Sequence, residues 1–236
     1  MSLPVSERDM SEQIIVAVDF ECLRPNCWST FAVVVMGVDV RTKQMNLLWK
    51  FSVGQLEEQI AFERELRTGP TAVFWRNNHQ AYDQNMLLNV CTRRAEAERA
   101  IVANINRIRQ RWSRFWLICD NPSMDIRILD NILLSHGADP ICIRPPNNTY
   151  MQVICSWSYR LAASALLRIP KNKIRSESVR MAADCMDQCR TPPVAHTPVY
   201  DCVLILCNYL YLAHEIMSKR SEGRPASILA SVSSSC

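Results

Sequence analysis

Five residues in this chain have the types and spacings that suit chemistry at a divalent cation: Asp19, Glu21, Asp125, His196 and Asp201. Asp19 and Glu21 stand at i and i+2, at the end of the apolar run Ile14-Ile15-Val16-Ala17-Val18. Carboxylates at that spacing on a strand project from one face. In a dry interior they repel each other and are costly to ionise. Hard oxygen ligands placed this way suit Mg²⁺ or Mn²⁺, although a D-x-E pair alone also fits a solvated strand end. Asp125 follows a second apolar run, Phe115 to Cys119, at the opening of a helix, where a carboxylate also complements the helix dipole. Asp120, at the end of that run, is its local rival; Asp130 lies deeper in the helix. His196 and Asp201 span the entrance to a last helix whose continuation, CVLILCNYLYL, is almost wholly apolar. An ionised Asp201 there needs a partner, and a metal is one. An imidazole titrates near neutral pH and can take a proton from water. A loop histidine beside a helix-start aspartate is the plainer alternative.

The elements that must position these groups follow from periodicity. The apolar run before Asp19 is too short for a helix and reads as a buried central strand. Phe31–Val40 and Met45–Val53 read as two more strands, joined through Arg41-Thr42-Lys43-Gln44 as in a hairpin. The three strands are expected to be antiparallel. Apolar residues then recur at helical spacing over Gln55–Leu66, Asn78–Val90 and Thr92–Trp112. Phe115–Cys119 is a fourth strand. Ser123 is placed to cap the next helix, which runs to about His136 and stops at Gly137. Pro140–Ile143 is the candidate fifth strand, Val153–Leu167 a helix ended by Pro170, and Val199–Met217 a final helix. Residues 171–195 resist assignment. Strands interleaved with helices in this order imply an α/β fold with a mixed sheet and helices on its faces. The division expected is a flexible leader at 1–13, one domain over 14–217, and a Ser-rich tail at 218–236.

Composition bounds the classes. The 236 residues are 48% hydrophobic, enough for one core, and the net charge of +4 permits a polyanionic partner without requiring one. Only 5 Gly argue against a glycine-rich phosphate loop. The 11 Cys are odd in number and scattered through apolar runs without a CxxC pair. With a polar N-terminus and no apolar stretch of roughly 18 residues, they read as reduced core thiols of a protein that is not secreted. Cytoplasm is the expected location, with the nucleus open, and no membrane partner is expected. Cys185 and Cys189 lack a third and fourth ligand at zinc-finger spacing.

In combination, D-x-E on a first strand, an Asp after a fourth strand and H-x(4)-D entering the last helix form an ordered pattern. It resembles the DEDDh exonucleases, the histidine branch of the DnaQ-like group with a ribonuclease H-like fold. The resemblance covers roughly residues 14–214 and is nearest to the small phage and mycobacterial type. VAVDFECL is similar to the first motif. Thr71, Trp75 and Gln80 look like the Thr–Trp–Gln segment that precedes the middle helices. Asn121-Pro122-Ser123-Met124-Asp125 is similar to the third motif, which favours Asp125 over Asp120. Pro198, Cys202 and Met124 depart from the family's Ala, Ala and Phe.

The resemblance implies a 3′→5′ exonuclease that releases 5′-mononucleotides from DNA or RNA. It implies two Mg²⁺ or Mn²⁺ ions held by Asp19, Glu21, Asp125 and Asp201, with His196 as general base. It also implies contact between the terminal nucleotide and the backbone of Glu21, Cys22 and Leu23. Phe20, between the two carboxylates, is expected on the opposite, core face. Cations must grip the strand. Residues 93–114 carry seven Arg, of which Arg107, Arg109 and Arg111 are the candidate phosphate contacts; a second group is Lys171, Lys173, Arg175 and Arg180. A solvated helix face is the alternative for either. Trp28 and Trp75 are candidates for base stacking. The partner expected is single-stranded DNA or RNA with a free 3′ end. A catalytically weak nuclease-like interaction module is the rival reading, and oligomeric state is left open.

Overall fold

The computed structural model describes residues 12–23, 27–65, 70–88, 91–141, 152–190 and 193–221. Three strands come first: β1 (Glu12–Glu21), β2 (Thr30–Asp39) and β3 (Gln44–Gln55). They run antiparallel, with β1 and β2 in register from Glu12 opposite Asp39 to Glu21 opposite Thr30. Their chemistry explains the meander. β2 is buried on both faces, as its unbroken Val-rich run requires. At the turn into β3, the Asp39 carboxylate accepts the Arg41 N–H at 2.8 Å. The next elements are α1 (Leu56–Glu65), α2 (Pro70–Asn77), α3 (His79–Leu88), the two-residue β4 (Cys91–Thr92) and α4 (Arg94–Arg111). The chain continues with β5 (Trp116–Cys119), α5 (Pro122–Ser135), β6 (Gln152–Cys155), α6 (Ser156–Leu167), α7 (Lys171–Cys189) and α8 (Pro198–Ser221).

The six strands form one sheet in the order β4-β3-β2-β1-β5-β6. β5 lies parallel to β1, and β6 parallel to β5. Alternation along β1 splits the core in two. Ile15 and Ala17 join a cluster with α7 and α8; Val16, Val18 and Phe20 join one with α4 and α5. Helices therefore cover both faces of a mixed sheet, the α/β class expected of a ribonuclease H-like domain.

Several boundaries differ from the sequence expectation. The strand beside β5 is β6, not Pro140–Ile143. Ile141 is buried outside any strand, its N–H donated to the Asp130 carboxylate, and 142–151 lie outside the described residues. Ser123 does not cap α5. Asn121 occupies that position without a side-chain capping bond, Pro122 opens the helix, and Ser123 Oγ donates to Asn121 Oδ1 at 2.6 Å. Gly137 does end the helix, at φ +69°. Residues 171–189 form one 19-residue helix, α7, set off by Pro170. Glu12 and Gln13 belong to β1, and Ser218 to Ser221 belong to α8; the rest of the leader and tail lies outside the described residues. Contrary to expectation, α8 has the length and apolarity of a membrane span. Its packing accounts for that apolarity: Cys202, Val203, Leu206, Cys207 and Leu210 are buried against the sheet and its neighbouring helices.

Candidate active site

The site forms where β1, α5 and α8 meet. β1 ends at Glu21, whose carbonyl accepts both the N–H of Ser29 at 2.8 Å and its Oγ at 2.9 Å. Those bonds hold the strand end beside the start of β2. Asp19 and Glu21 share the face of β1 that α8 covers. Phe20 points the other way and packs on Phe31 and Trp28, with ring centroids 4.5 and 5.7 Å away, as expected of a core residue.

Asp125 lies in the first turn of α5 and is only 1% exposed. Its carboxylate accepts the N–H of Asn121 at 3.1 Å and that of Phe20, which ties α5 to β1. Asp201 lies in the first turn of α8. Opening a helix with Pro198 is cheap, because the first-turn N–H has no intrahelical acceptor to lose. The Asp201 N–H bonds Thr197 O at 3.0 Å, and its carboxylate accepts the His196 N–H. His196 itself takes φ +62°, a left-handed conformation that is costly for a residue with a side chain. Ligand atoms of Glu21, His196 and Asp201 all lie within 4.8 Å of one another.

All five chemistry-bearing residues picked from the sequence therefore converge. Burial pushes the Asp19 carboxyl well above the usual range, and the charges of Asp201, Asp125 and Asp120 push it further. Glu21 is raised in the same way, by burial first and then by Asp19 and Asp201. Burial raises Asp125 to about 7 against its two N–H bonds, and raises Asp201 to about 7 against its bond with Glu21. Asp19 Oδ2 and Asp125 Oδ1 are buried without a hydrogen-bond partner. Oxygen-rich, mutually repelling and incompletely satisfied, this donor set fits a hard divalent cation. Burial also lowers the His196 pKa, which favours the neutral imidazole, the form that can accept a proton. The edge of Phe74 packs against that ring at 4.9 Å between centroids.

A cavity of about 450 Å³ opens from the carboxylates and runs between α6, α7 and α8. Asp19, Asp201, His196 and the exposed Asp120 line it, together with Arg160, Lys171, Arg175 and Trp157. Asp120, the rival of Asp125, thus borders the same cavity.

No protein-family model matches the chain, and no curated protein matches it in sequence. Among solved structures, the chain is similar to that of a full-length 3′-exonuclease, with a TM-score of 0.43 and 12% identity. The match covers 89% of this chain and 62% of that one. So distant a likeness adds nothing to what the site itself provides.

The remaining expected contacts fall into two groups. Cys22 and Leu23 follow Glu21, near the cluster. Leu23 is buried against Trp75 and Ala81, and the Cys22 carbonyl accepts Trp75 Nε1–H at 3.3 Å. Burial pushes the Cys22 thiol up to about 12, so it is no nucleophile at neutral pH. Arg107, Arg109 and Arg111 are not brought to the site. They lie near the C-terminal end of α4, where Arg109 donates to the carbonyls of Asp139 at 2.7 Å and Pro140 at 3.2 Å. Those carbonyls follow the far end of α5, a 14-residue helix roughly 21 Å long, whereas Asp125 lies in its first turn. Trp28 and Trp75, 4% and 2% exposed, are packing residues and not stacking surfaces. Sequence reading missed Trp157 and Arg160. Their three-residue spacing on one helix face was the available signal. Cys202, where the sequence resemblance led to an expectation of Ala, is fully buried with its Sγ–H donated to Ala32 O at 3.7 Å, so the sulfur fills a gap between α8 and β2.

Proposed function

We propose that this chain is a metal-dependent 3′→5′ exonuclease of the DEDDh type, acting on single-stranded DNA or RNA and releasing 5′-mononucleotides. One observation carries the reading: Glu21, His196 and Asp201 lie within metal-ligand reach of one another, the charges of Asp125 and Asp201 act on the buried Asp19, and Asp19, His196 and Asp201 line a cavity. Divalent cations, Mg²⁺ or Mn²⁺, held by these four carboxylates would neutralise the phosphodiester and acidify water.

The protein's own groups then have distinct tasks. His196 accepts the proton of the attacking water, and burial, by lowering its pKa, favours the neutral form that this requires. Asp201, by accepting the His196 N–H, holds the turn that presents the imidazole. Phe74 limits rotation of that ring and keeps bulk water from one edge. The hydroxide so formed attacks the terminal phosphorus, and the 3′ oxygen of the shortened strand leaves. Glu21 and the backbone of Cys22 and Leu23 border the place where the terminal nucleotide would sit, on a strand end fixed by Ser29 and Trp75.

The test is end-labelled single-stranded DNA and RNA incubated with Mg²⁺, Mn²⁺ or chelator. Stepwise shortening from the 3′ end that requires the cation is the expected result. No cleavage of either strand, together with no Mn²⁺ binding by calorimetry, would return the chain to the interaction-module reading.

A further inference from the structure

We propose that α6 and α7 form an upstream subsite, in which Arg160, Lys171 and Arg175 hold the phosphodiesters preceding the scissile one and Trp157 stacks on a base. This inference rests on the nuclease reading of the adjoining carboxylates. The cavity is lined by carboxylates of Asp19, Asp120 and Asp201 and, from α6 and α7, by three cations. None of those cations forms an ion pair with a described residue. Like charges gathered around one cavity repel, and a polyanion relieves that repulsion. Lys171 and Arg175 are four residues apart and so share one face of α7. Lys171 opens that helix, whose N-terminus has no side-chain cap and adds partial positive charge to the same wall.

Trp157 supplies the second half of the recognition. It is 53% exposed, unlike the buried Trp28 and Trp75, and it lines the cavity. The Arg160 guanidinium lies over its ring at 4.9 Å, which orients the indole and leaves donor N–H groups at the guanidinium edge. An exposed aromatic face beside cations suits a base with its phosphate, and the stacking tolerates any sequence. Cations on two helices suit a strand with several phosphates, where a free mononucleotide would need fewer. A phosphodiester strand is the common chemistry; DNA and RNA are its two sources.

The test compares two substrates cleaved at the same carboxylates. One is a single-stranded oligonucleotide, as DNA and as RNA. The other is the 4-nitrophenyl ester of thymidine 5′-monophosphate, which has no upstream phosphodiester. For the triple variant R160Q/K171Q/R175Q, the ratio of kcat/KM for oligonucleotide over ester should fall about tenfold or more, mainly through KM. The slope of log KM against log salt should weaken by about two to three. W157A should raise the oligonucleotide KM about fivefold or more, and W157F should restore most of it. Thermal melts of each variant check that the fold persists. An unchanged ratio and salt slope in the folded triple variant would overturn the subsite. So would a loss confined to inhibition by free mononucleotide, which would make the wall a product pocket. Failure of the wild-type protein to cleave either substrate would instead sink the nuclease reading. Selective loss on DNA or on RNA alone identifies which strand the subsite serves.

Discussion

The two ends of the central sheet treat polar groups in opposite ways. At the end where β1 reaches Glu21, carboxylates crowd together, two carboxylate oxygens are buried without a partner, and His196 holds a left-handed backbone. At the other end, the charged groups have hydrogen-bond partners. Asp39 takes the N–H of Arg41, Asp130 that of Ile141, and Arg109 binds two carbonyls. His214 Nδ1 meets Val40 O at 2.9 Å. Among the described residues, carboxylate oxygens buried without a partner occur at the first end alone. Local arrangements that cost stability persist where something outside the chain completes them.

The sharpest way to break this contrast is to remove a carboxylate. Asp19→Ala and Asp201→Ala should each lower kcat/KM for oligonucleotide cleavage by about 10³-fold or more, the several kcal/mol expected of a metal-centred site. Metal-dependent cleavage retained by purified Asp19→Ala protein would end the assignment. His196→Ala should reduce kcat by about 10²-fold or more with little change in KM. A general base works only when neutral, so wild-type activity should fall with acid through a pKa below the ordinary 6.5 of histidine. The variant should lose that limb of the pH profile. A wild-type-like profile in His196→Ala would remove the proton-transfer role and leave His196 as a ligand beside Glu21 and Asp201.

Stability against pH sharpens the contrast without any assay of activity. Asp125 and Asp201 have folded-state pKa values raised from 3.8 to about 7. Between those values the folded chain binds more protons than the unfolded chain, so stability falls as pH rises. Metal-free protein should therefore be less stable at pH 8 than at pH 5, by on the order of 5 kcal/mol. Mn²⁺ should restore the loss at pH 8, because it binds the ionised cluster of the folded state alone. Asp19→Asn should flatten the profile by removing one of the repelling charges. A melting temperature that climbs from pH 5 to pH 8 in chelator would contradict the buried cluster.

How much of this could be read from the residues differs by element. β1 and β2 were legible as β-branched apolar runs, and β3 as an apolar run set off from β2 by a polar turn. The site was legible because every one of its groups abuts an element end, after β1, at the start of α5 and at the start of α8. β6 was not. It has four residues and runs straight into α6, so Val153 and Ile154 blend into the helical pattern that follows. The cationic wall was half legible. Lys171 and Arg175 stood out as charges, but whether they or the α4 arginines face the carboxylates depends on how helices cross the sheet. Local sequence carries no such information. Trp28, Trp75 and Trp157 present the same difficulty, since burial and not residue type separates packing from stacking.

The α4 arginines provide the mildest test and the most direct one of the two-ended picture. Counted as charges, Arg107, Arg109 and Arg111 form the densest basic group near a predicted nuclease site. In space, Arg107 lies over Trp49 at 5.3 Å, Arg111 over Trp112 at 5.1 Å, and Arg109 clamps the segment after α5. Their work there is packing and hydrogen bonding to the fold. Replacing all three by Gln should change kcat/KM for oligonucleotides by less than about twofold at moderate salt, since charges beyond a Debye length of about 10 Å are screened. The stability loss should be about 1 kcal/mol, mostly from Arg109, whose partner carbonyls lose a charged donor. Were the triple variant to weaken oligonucleotide binding as much as R160Q/K171Q/R175Q does, the strand would have to cross the α4 face. The division of labour between the two ends of the sheet would then be wrong.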